Sequence, residues 1–77
     1  MKTYEILLDC YQMDDYIVGC VTGLIYAITG VSDGAIYTDT APVATMSFDA
    51  TEEQVRSVVE WINKLYPDIY AGVKVAE

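Results

Sequence analysis

The sequence predicts a small α+β domain in which strands and helices alternate. Three observations support this: residues 3–10 alternate apolar and polar side chains, residues 51–66 carry an amphipathic helical pattern, and an uncharged stretch lies between them at 16–31. Seventy-seven residues, 53% of them apolar, are enough for one domain, so residues 1–77 are expected to form a single unit. A chain of this length buries a small core and has modest stability.

The first predicted element is a strand over residues 3–10. Its inward face consists of Tyr4, Ile6, Leu8 and Cys10. A period of two indicates a strand with one face in the core and the other toward solvent. Asp14 and Asp15 follow, and either carboxylate can cap a helix and favour the positive end of its dipole.

The uncharged stretch 16–31 fits either a helix or strands. Half of its positions are β-branched, which suits strands. However, sixteen residues are long for one strand, and Thr22 and Gly23 make a poor hairpin turn, so a helix that stops near Gly30 is favoured. The stretch is also shorter than the roughly 20 residues that cross a bilayer, so no membrane anchor is expected. Residues 32–34 read as a turn.

Two strands are predicted at 35–40 and 43–49, joined at Ala41-Pro42 because proline cannot donate to a sheet ladder. Thr51 and Gln54 then match a capping box, and the helix that follows ends at Pro67. Its apolar stripe consists of Val55, Val58, Val59, Ile62, Leu65 and Tyr66. A last strand over 70–76 is predicted to turn Val73 and Val75 inward.

The resulting order, strand-helix-strand twice over, predicts a ferredoxin-like βαββαβ sandwich. In this arrangement a four-stranded antiparallel sheet, in spatial order 4-1-3-2, has both helices on one face and leaves the other face bare. The two helices are expected to pack side by side, with the small residues Gly19, Cys20, Gly23 and Ala27 flanking the first. We therefore predict that Trp61 packs into a groove beside Gly19 and Gly23.

The charge of the chain is strongly asymmetric. Nine acidic residues and only Lys2 lie in residues 1–55, whereas the acids and bases of residues 56–77 balance, which leaves a net charge of −8. Such a field repels nucleic acid and anionic membranes, and it attracts basic surfaces such as the phosphate-binding clefts of nucleic-acid enzymes. The alternative is that the acidity only keeps a small protein soluble.

The residues do not suggest an enzyme. The chain lacks histidine and has no Ser/His or Cys/His pair, and Gly19 and Gly23 do not form a phosphate loop. Acidic pairs occur at 14–15 and 52–53, where the dipole of a helix N-terminus explains them better than a divalent metal. No catalytic residue, cofactor or metal ligand is therefore predicted. The bare sheet face is expected to carry Glu5, Leu7 and Asp9, with Asp39 on a neighbouring strand, and this charge is of the wrong sign for RNA.

The cysteines suggest a compartment rather than a site. Cys10 and Cys20 form no CxxC motif and cannot complete a zinc site alone. A disulfide between them is conceivable, since their elements are expected to pack together. The first residues lack the pattern of a signal peptide, so free, buried thiols in a reducing cytoplasm are expected.

The seven tyrosines form a second notable feature. Tyr4 and Tyr66 are expected in the core. The others are expected at edges, turns or outward helical positions: Tyr11, Tyr16, Tyr26, Tyr37 and Tyr70. Tyrosine supplies a large contact area at low entropic cost and is enriched at binding surfaces, although tyrosines also cover the edges of small cores.

Together these features predict a non-enzymatic binding protein. Its expected partner-binding residues are Glu5, Asp9, Asp14, Asp15, Asp33, Asp39, Tyr11 and Tyr37. In size, acidity and expected fold the chain resembles the small acidic inhibitors of phages and mobile elements, such as anti-CRISPR proteins and nucleic-acid-mimicking anti-restriction proteins. This resemblance implies a cytoplasmic protein that inhibits or occupies the basic cleft of a nucleic-acid-handling protein. No family motif matches residue by residue, so no site residue is taken from the resemblance.

Two other functions fit the same residues. One is a regulatory domain that binds a small molecule as a dimer, although no glycine-rich ligand loop lies near the first or last strand. The other is a structural or assembly component of a larger complex. Self-association fits all three functions, because the second and fourth strands are sheet edges, whereas direct binding to nucleic acid or membrane is not expected.

Overall fold

The computed structural model describes residues 1–30 and 36–76 of the chain. In chain order the elements are β1 (Lys2–Asp9), a 3-10 turn (Cys10–Gln12), α1 (Asp15–Thr29), β2 (Ile36–Thr40), β3 (Val43–Ala50), α2 (Glu52–Leu65) and β4 (Tyr70–Val75). The turn predicted at 32–34, and with it the predicted binding residue Asp33, lies outside the described residues.

The four strands form one antiparallel sheet in the order β2-β3-β1-β4. This is the predicted order 4-1-3-2 seen from the other edge, so the ferredoxin-like prediction is confirmed. Strand β1 is central in the sheet, where it pairs with β3 on one side and with β4 on the other. Both helices supply buried residues to one face of this sheet.

The core lies between that face and the helices. Its largest fully buried side chains are Phe48, Ile6, Leu8, Ile25, Met46, Ile62, Val21 and Val58. Tyr4 joins them at 9% exposure, as predicted, because it lies opposite Phe48 in the β1–β3 register. Burial of these side chains is the main force that orders so short a chain.

Residues 16–29 of the uncharged stretch lie in α1, so the helical alternative is correct for them. The Asp14 carboxylate accepts the backbone N–H of Ile17 at 2.8 Å, and Gly30 closes the helix in a left-handed conformation with φ of 77°. Thr22 donates its hydroxyl to the carbonyl of Val18 at 2.7 Å. Capping at both ends and burial of the sheet-facing side override the β propensity of the branched residues.

Helix α2 follows its predicted boundaries closely. Thr51 and Gln54 form the reciprocal capping box, with bonds of 3.2 Å to the N–H of Gln54 and 3.0 Å to the N–H of Thr51. Val55, Val58 and Ile62 are buried against the sheet. Leu65, which the apolar stripe included, is instead 53% exposed, because it belongs to the final turn of the helix.

The predicted contact between Trp61 and the α1 glycines is wrong. A methyl group built on Gly19 or Gly23 would have no neighbouring atom within 4 Å, so no indole ring fills this space. Trp61 is 46% exposed, and the Lys64 ammonium lies 5.1 Å from the centre of its ring. Of the small residues on α1, Cys20 lies near Tyr66, the residue that follows α2, and a hydrogen bond between their side chains is the first cause that raises the pKa of that tyrosine.

The exposed side of α1 includes Tyr26 but not Thr22 or Thr29. Both threonines are half-buried, and their hydroxyls bond to the carbonyls four residues earlier. The exposed, uncharged residues of α1 are Tyr16, Gly19, Gly23, Tyr26 and Ala27. Glycines with open space around them therefore lie on the outer surface of the helix.

Strand β4 is less buried than predicted. Val73 and Val75 pair with Ile6 and Tyr4, so they lie on the helix side of the sheet as expected. Their exposed fractions are nevertheless 39% and 45%, because β4 is an edge strand that α2 covers only in part.

Candidate functional site

The two faces of the sheet divide the predicted binding residues. Residues directly opposite in an antiparallel pair share a face. Asp39 lies opposite Ala44 and Tyr37 opposite Met46, and both partners are buried beneath the helices. Tyr37 and Asp39 therefore lie on the helix side of β2. The expectation that Asp39 joins Glu5 and Asp9 on the bare face is wrong.

Five aspartates instead gather where β1 and β2 end, α1 begins, and the α2–β4 connection passes. We call this region the acidic end. It consists of Asp9, Asp14, Asp15, Asp39 and Asp68. Four of the five carboxylates are exposed, and Asp9 is half-buried. These aspartates come from positions 9–15, 39 and 68, which are far apart in the sequence, so the fold brings them to one end of the domain.

Asp9 holds part of the acidic end together. Its carboxylate accepts the backbone N–H of Tyr11 at 3.0 Å and the side-chain amide of Gln12 at 2.8 Å. The same amide donates to the carbonyl of Asp68 at 3.1 Å, and the N–H of Asp9 donates to the carbonyl of Ile69 at 2.8 Å. These bonds join the 3-10 turn after β1 to the α2–β4 connection and fix Asp68 beside Asp9.

Cys10 and Asp39 connect β1 to β2 at the same end. The Cys10 thiol donates to a carboxylate oxygen of Asp39, with 2.6 Å between Sγ and Oδ1. The backbone N–H of Cys10 donates to the carbonyl of Pro42 at 3.2 Å. The hydrogen bond to Asp39 is the main cause that raises the pKa of the Cys10 thiol, and desolvation and the charges of Asp39 and Asp9 add to it. Cys10 is therefore a protonated, weakly nucleophilic thiol at neutral pH.

Replacing Asp39 should make Cys10 more reactive. In a Cys20→Ser background, Asp39→Asn should speed the alkylation of Cys10 by iodoacetamide severalfold at pH 8, because the carboxylate no longer favours the thiol over the thiolate. The rate measured against pH should rise at lower pH in Asp39→Asn than in the parent. A raised folded-state pKa also means that this bond stabilises the fold below the ordinary thiol pKa, and that the stabilisation is lost as the pH rises through the raised value.

Asp68→Asn is the matched control, since it removes one charge of the acidic end without touching Cys10. It should leave the pH–rate profile of Cys10 close to that of the parent. Equal profiles in all three proteins would show that the bond between Cys10 and Asp39 does not govern the thiol.

The two predicted binding tyrosines differ in accessibility. Tyr11 lies in the 3-10 turn and is 76% exposed. Tyr37 is half-buried, and burial is the first cause that raises its pKa, followed by the charges of Asp39, Cys10 and Asp15. Tyr16, in the first turn of α1, is 77% exposed beside Asp14 and Asp15. The accessible aromatic rings near the acidic end are therefore those of Tyr11 and Tyr16.

Glu5 is separate from the acidic end. It lies in the middle of β1 on the bare face, where its carboxylate is 3.4 Å from the Lys74 ammonium. The other ion pair among residues 1–30 and 36–76 joins Arg56 to Glu52. Neither pair uses a carboxylate of the acidic end, so in the described part of the chain its charge is not neutralised by lysine or arginine.

Two residues at this end of the domain, Asp68 and Cys10, were not predicted as site residues. Asp68 lies in the charge-balanced segment 56–77, so it did not stand out. Cys10 was assigned to the inward face of a strand that ends one residue earlier. The topology offered a signal for Asp68, because in this fold the connection after the second helix lies next to the end of the first strand.

In residues 1–30 and 36–76 no three His, Cys, Asp or Glu side chains are placed to share a metal ion. In the same part of the chain, neither helix has the length and apolar character needed to span a membrane. Cys10 and Cys20 are both free thiols. Both are half-buried, whereas the sequence analysis expected them to be buried.

These features define an acidic ferredoxin-like sandwich with five aspartates at one end, none of them in an ion pair with a described lysine or arginine. Comparisons of the chain with protein-family models, with curated proteins and with solved structures find no match.

Proposed function

We propose that this protein binds a basic surface of another protein through its acidic end. The observation that carries the proposal is the gathering of five aspartates, from separate segments, without an ion pair to any described lysine or arginine. A basic partner would supply the cationic groups that the described part of the chain does not bring to these carboxylates. Charge complementarity of this kind also speeds association and excludes wrong partners.

The exposed aromatic rings support a protein partner. Tyr11 and Tyr16 flank the aspartates with more than three quarters of their surface accessible. Tyrosine contributes binding energy by burying a large, rigid surface and by donating a hydrogen bond. An aromatic, acidic surface suits a groove lined with arginine and lysine, where the rings contact the guanidinium planes and stems of the basic side chains.

The class of partner follows from the sign of the charge. Basic clefts of nucleic-acid-handling proteins hold phosphates, so carboxylates at one end of the domain would compete with nucleic acid for the same basic groups. The function proposed is therefore inhibition or occupation of the basic cleft of a nucleic-acid-handling protein, as in the acidic inhibitors that the chain resembles in size and charge. The free thiols suit action in the reducing cytoplasm.

The test is affinity capture from cell extract at low and at high salt, with mass spectrometry of the captured proteins. The informative variant combines Asp15→Asn, Asp39→Asn and Asp68→Asn, because Asp9 and Asp14 have capping roles and their loss would disturb the fold. Basic nucleic-acid-binding proteins should be captured by the wild type and released by salt. The triple variant should bind them about tenfold more weakly or worse.

A matched control removes three exposed acids elsewhere: Asp49→Asn, Glu53→Gln and Glu60→Gln. This variant has the same net charge as the first, so it separates the position of the charge from its total. It should capture the same partners as the wild type. Equal capture by both variants, or capture that is indifferent to salt, would refute the role of the acidic end.

A further inference from the structure

The two edges of the sheet are unlike. Edge strands expose unpaired backbone groups, and proteins protect them with charges, prolines or covering segments. Strand β2 carries Asp39 and runs into Ala41-Pro42. Strand β4 has no acid and no proline, and its one charged residue is Lys74. In a chain with twelve acidic residues, β4 is thus an edge without negative charge.

The backbone groups of two valines face outward at this edge. The N–H of Ala76 donates to the carbonyl of Thr3 at 2.9 Å. Bonded and non-bonded pairs alternate along an antiparallel ladder, so Tyr4–Val75 and Ile6–Val73 are non-bonded pairs. The N–H and C=O groups of Val73 and Val75 therefore point away from β1, and they are free to pair with another strand.

An open groove of about 350 Å³ runs beside these valines, between β4 and the first half of α2. Its apolar lining consists of Tyr4, Val55, Val59, Val73 and Val75. Its rim carries Glu52, Arg56 and Lys74. When an extended segment pairs with the edge of a sheet, its backbone hydrogen-bonds to the unpaired groups of the edge strand, and its side chains bind in neighbouring apolar grooves. The β4 edge has both features.

We propose that a second copy of this chain covers the β4 edge, so that two sheets join antiparallel through β4. The charges support a copy as the occupant. Across a two-fold axis the rim is self-complementary, because Arg56 of each protomer can face Glu52 of the other. The edge also carries little net charge, since Arg56 pairs with Glu52 and Lys74 pairs with Glu5, so two proteins of net charge −8 can approach each other there.

The position of Lys74 indicates the register in which the two β4 strands pair. If Val73 of one protomer lies opposite Val73 of the other, each Lys74 lies opposite Gly72, and like charges do not meet directly. The outward backbone groups of the two Val73 residues then bond to each other. The valine side chains of both protomers come together on the helix side of the joined sheet. This dimer is independent of the proposed function, because it uses none of the residues of the acidic end.

The test is sedimentation velocity of the full chain over a range of concentrations, with amide hydrogen exchange measured in parallel. The wild type should be a dimer that dissociates on dilution, and exchange at the amides of Val73 and Val75 should slow as the dimer forms. Val73→Lys should weaken dimerisation at least about tenfold, because two ammonium groups would meet at the two-fold axis and two valines would lose their burial.

Val43→Lys is the matched control. Val43 is 37% exposed, close to the 39% of Val73, but it lies on the opposite face of the sheet and not on β4. It should dimerise like the wild type, and circular dichroism should show both variants folded. A wild type that stays monomeric overturns the proposal. So does a dimer that persists unchanged in Val73→Lys, which would place the contact elsewhere.

Discussion

Phe48→Ala should remove a large part of the protein's free energy of unfolding. Phe48 is the largest fully buried side chain, and it lies opposite Tyr4 at the centre of the sheet. Truncating a buried phenylalanine costs about 3–5 kcal/mol, from lost burial and from the cavity that remains. A domain of this size has a total free energy of unfolding of about 4–12 kcal/mol, so the loss is a large part of it. Urea denaturation followed by circular dichroism measures the change.

Phe48→Leu is the graded control for this effect. It keeps an apolar side chain of similar shape, so it should cost about 1–1.5 kcal/mol and leave the protein folded. If Phe48→Ala lowered the free energy of unfolding no more than Phe48→Leu does, the helices would be closing the cavity at little cost, and the core would be less tightly packed than the burial indicates.

The second large effect is expected in α1, where adjacent residues should respond in opposite ways to the same change. Ile25 is fully buried beneath the helix and Tyr26 is 54% exposed. Ile25→Asp places an unpaired carboxylate in the core and should cost at least about 4 kcal/mol, which abolishes cooperative folding. Tyr26→Asp should cost about 1 kcal/mol or less, because aspartate there remains in water and pays only a small loss of helix propensity.

Thermal unfolding of these two variants tests which side of α1 faces the core. A tolerated Ile25→Asp, or equal losses at both positions, would contradict the orientation of α1 in the structure.

The elements with strong local signals were predictable from the sequence. Two features depend only on residues close together in the sequence: the capping box at Thr51 and Gln54, and the alternation in β1. They can therefore be recognised without knowledge of the rest of the fold. The sheet order followed from the order of elements. Helix α1 was harder, because its β-branched residues oppose the helix, and the caps at Asp14 and Gly30 together with burial of the sheet-facing side resolve the conflict.

The failures concern relations between segments. A register change of one residue moves every side chain of a strand to the other face, and nothing in β2 alone fixes that register, so Asp39 was assigned to the wrong side. Periodicity showed which face Val73 occupies but not whether α2 reaches over it. The distance and rotation between two helices decide whether Trp61 meets Gly23, and the spacing of small residues does not determine either quantity.

The same dependence on distant segments decides which residues form the candidate site. Asp14 and Asp15 were predicted together because they are neighbours in sequence. Asp9 and Asp68 meet only because the backbone of β1 bonds to the residue before β4. Glu5 resembled them by composition alone, and its pairing with Lys74 depends on the β1–β4 register.

The central position of β1 also has a consequence for synthesis of the chain. Tyr4 pairs with Val75, so one side of β1 stays without a neighbour until β4 has left the ribosome. A nascent chain halted before that point presents the unpaired backbone groups along one side of β1 to other nascent chains and to chaperones. Because so much of the chain separates these two strands, the sheet can be completed only after nearly all of the described residues have been translated.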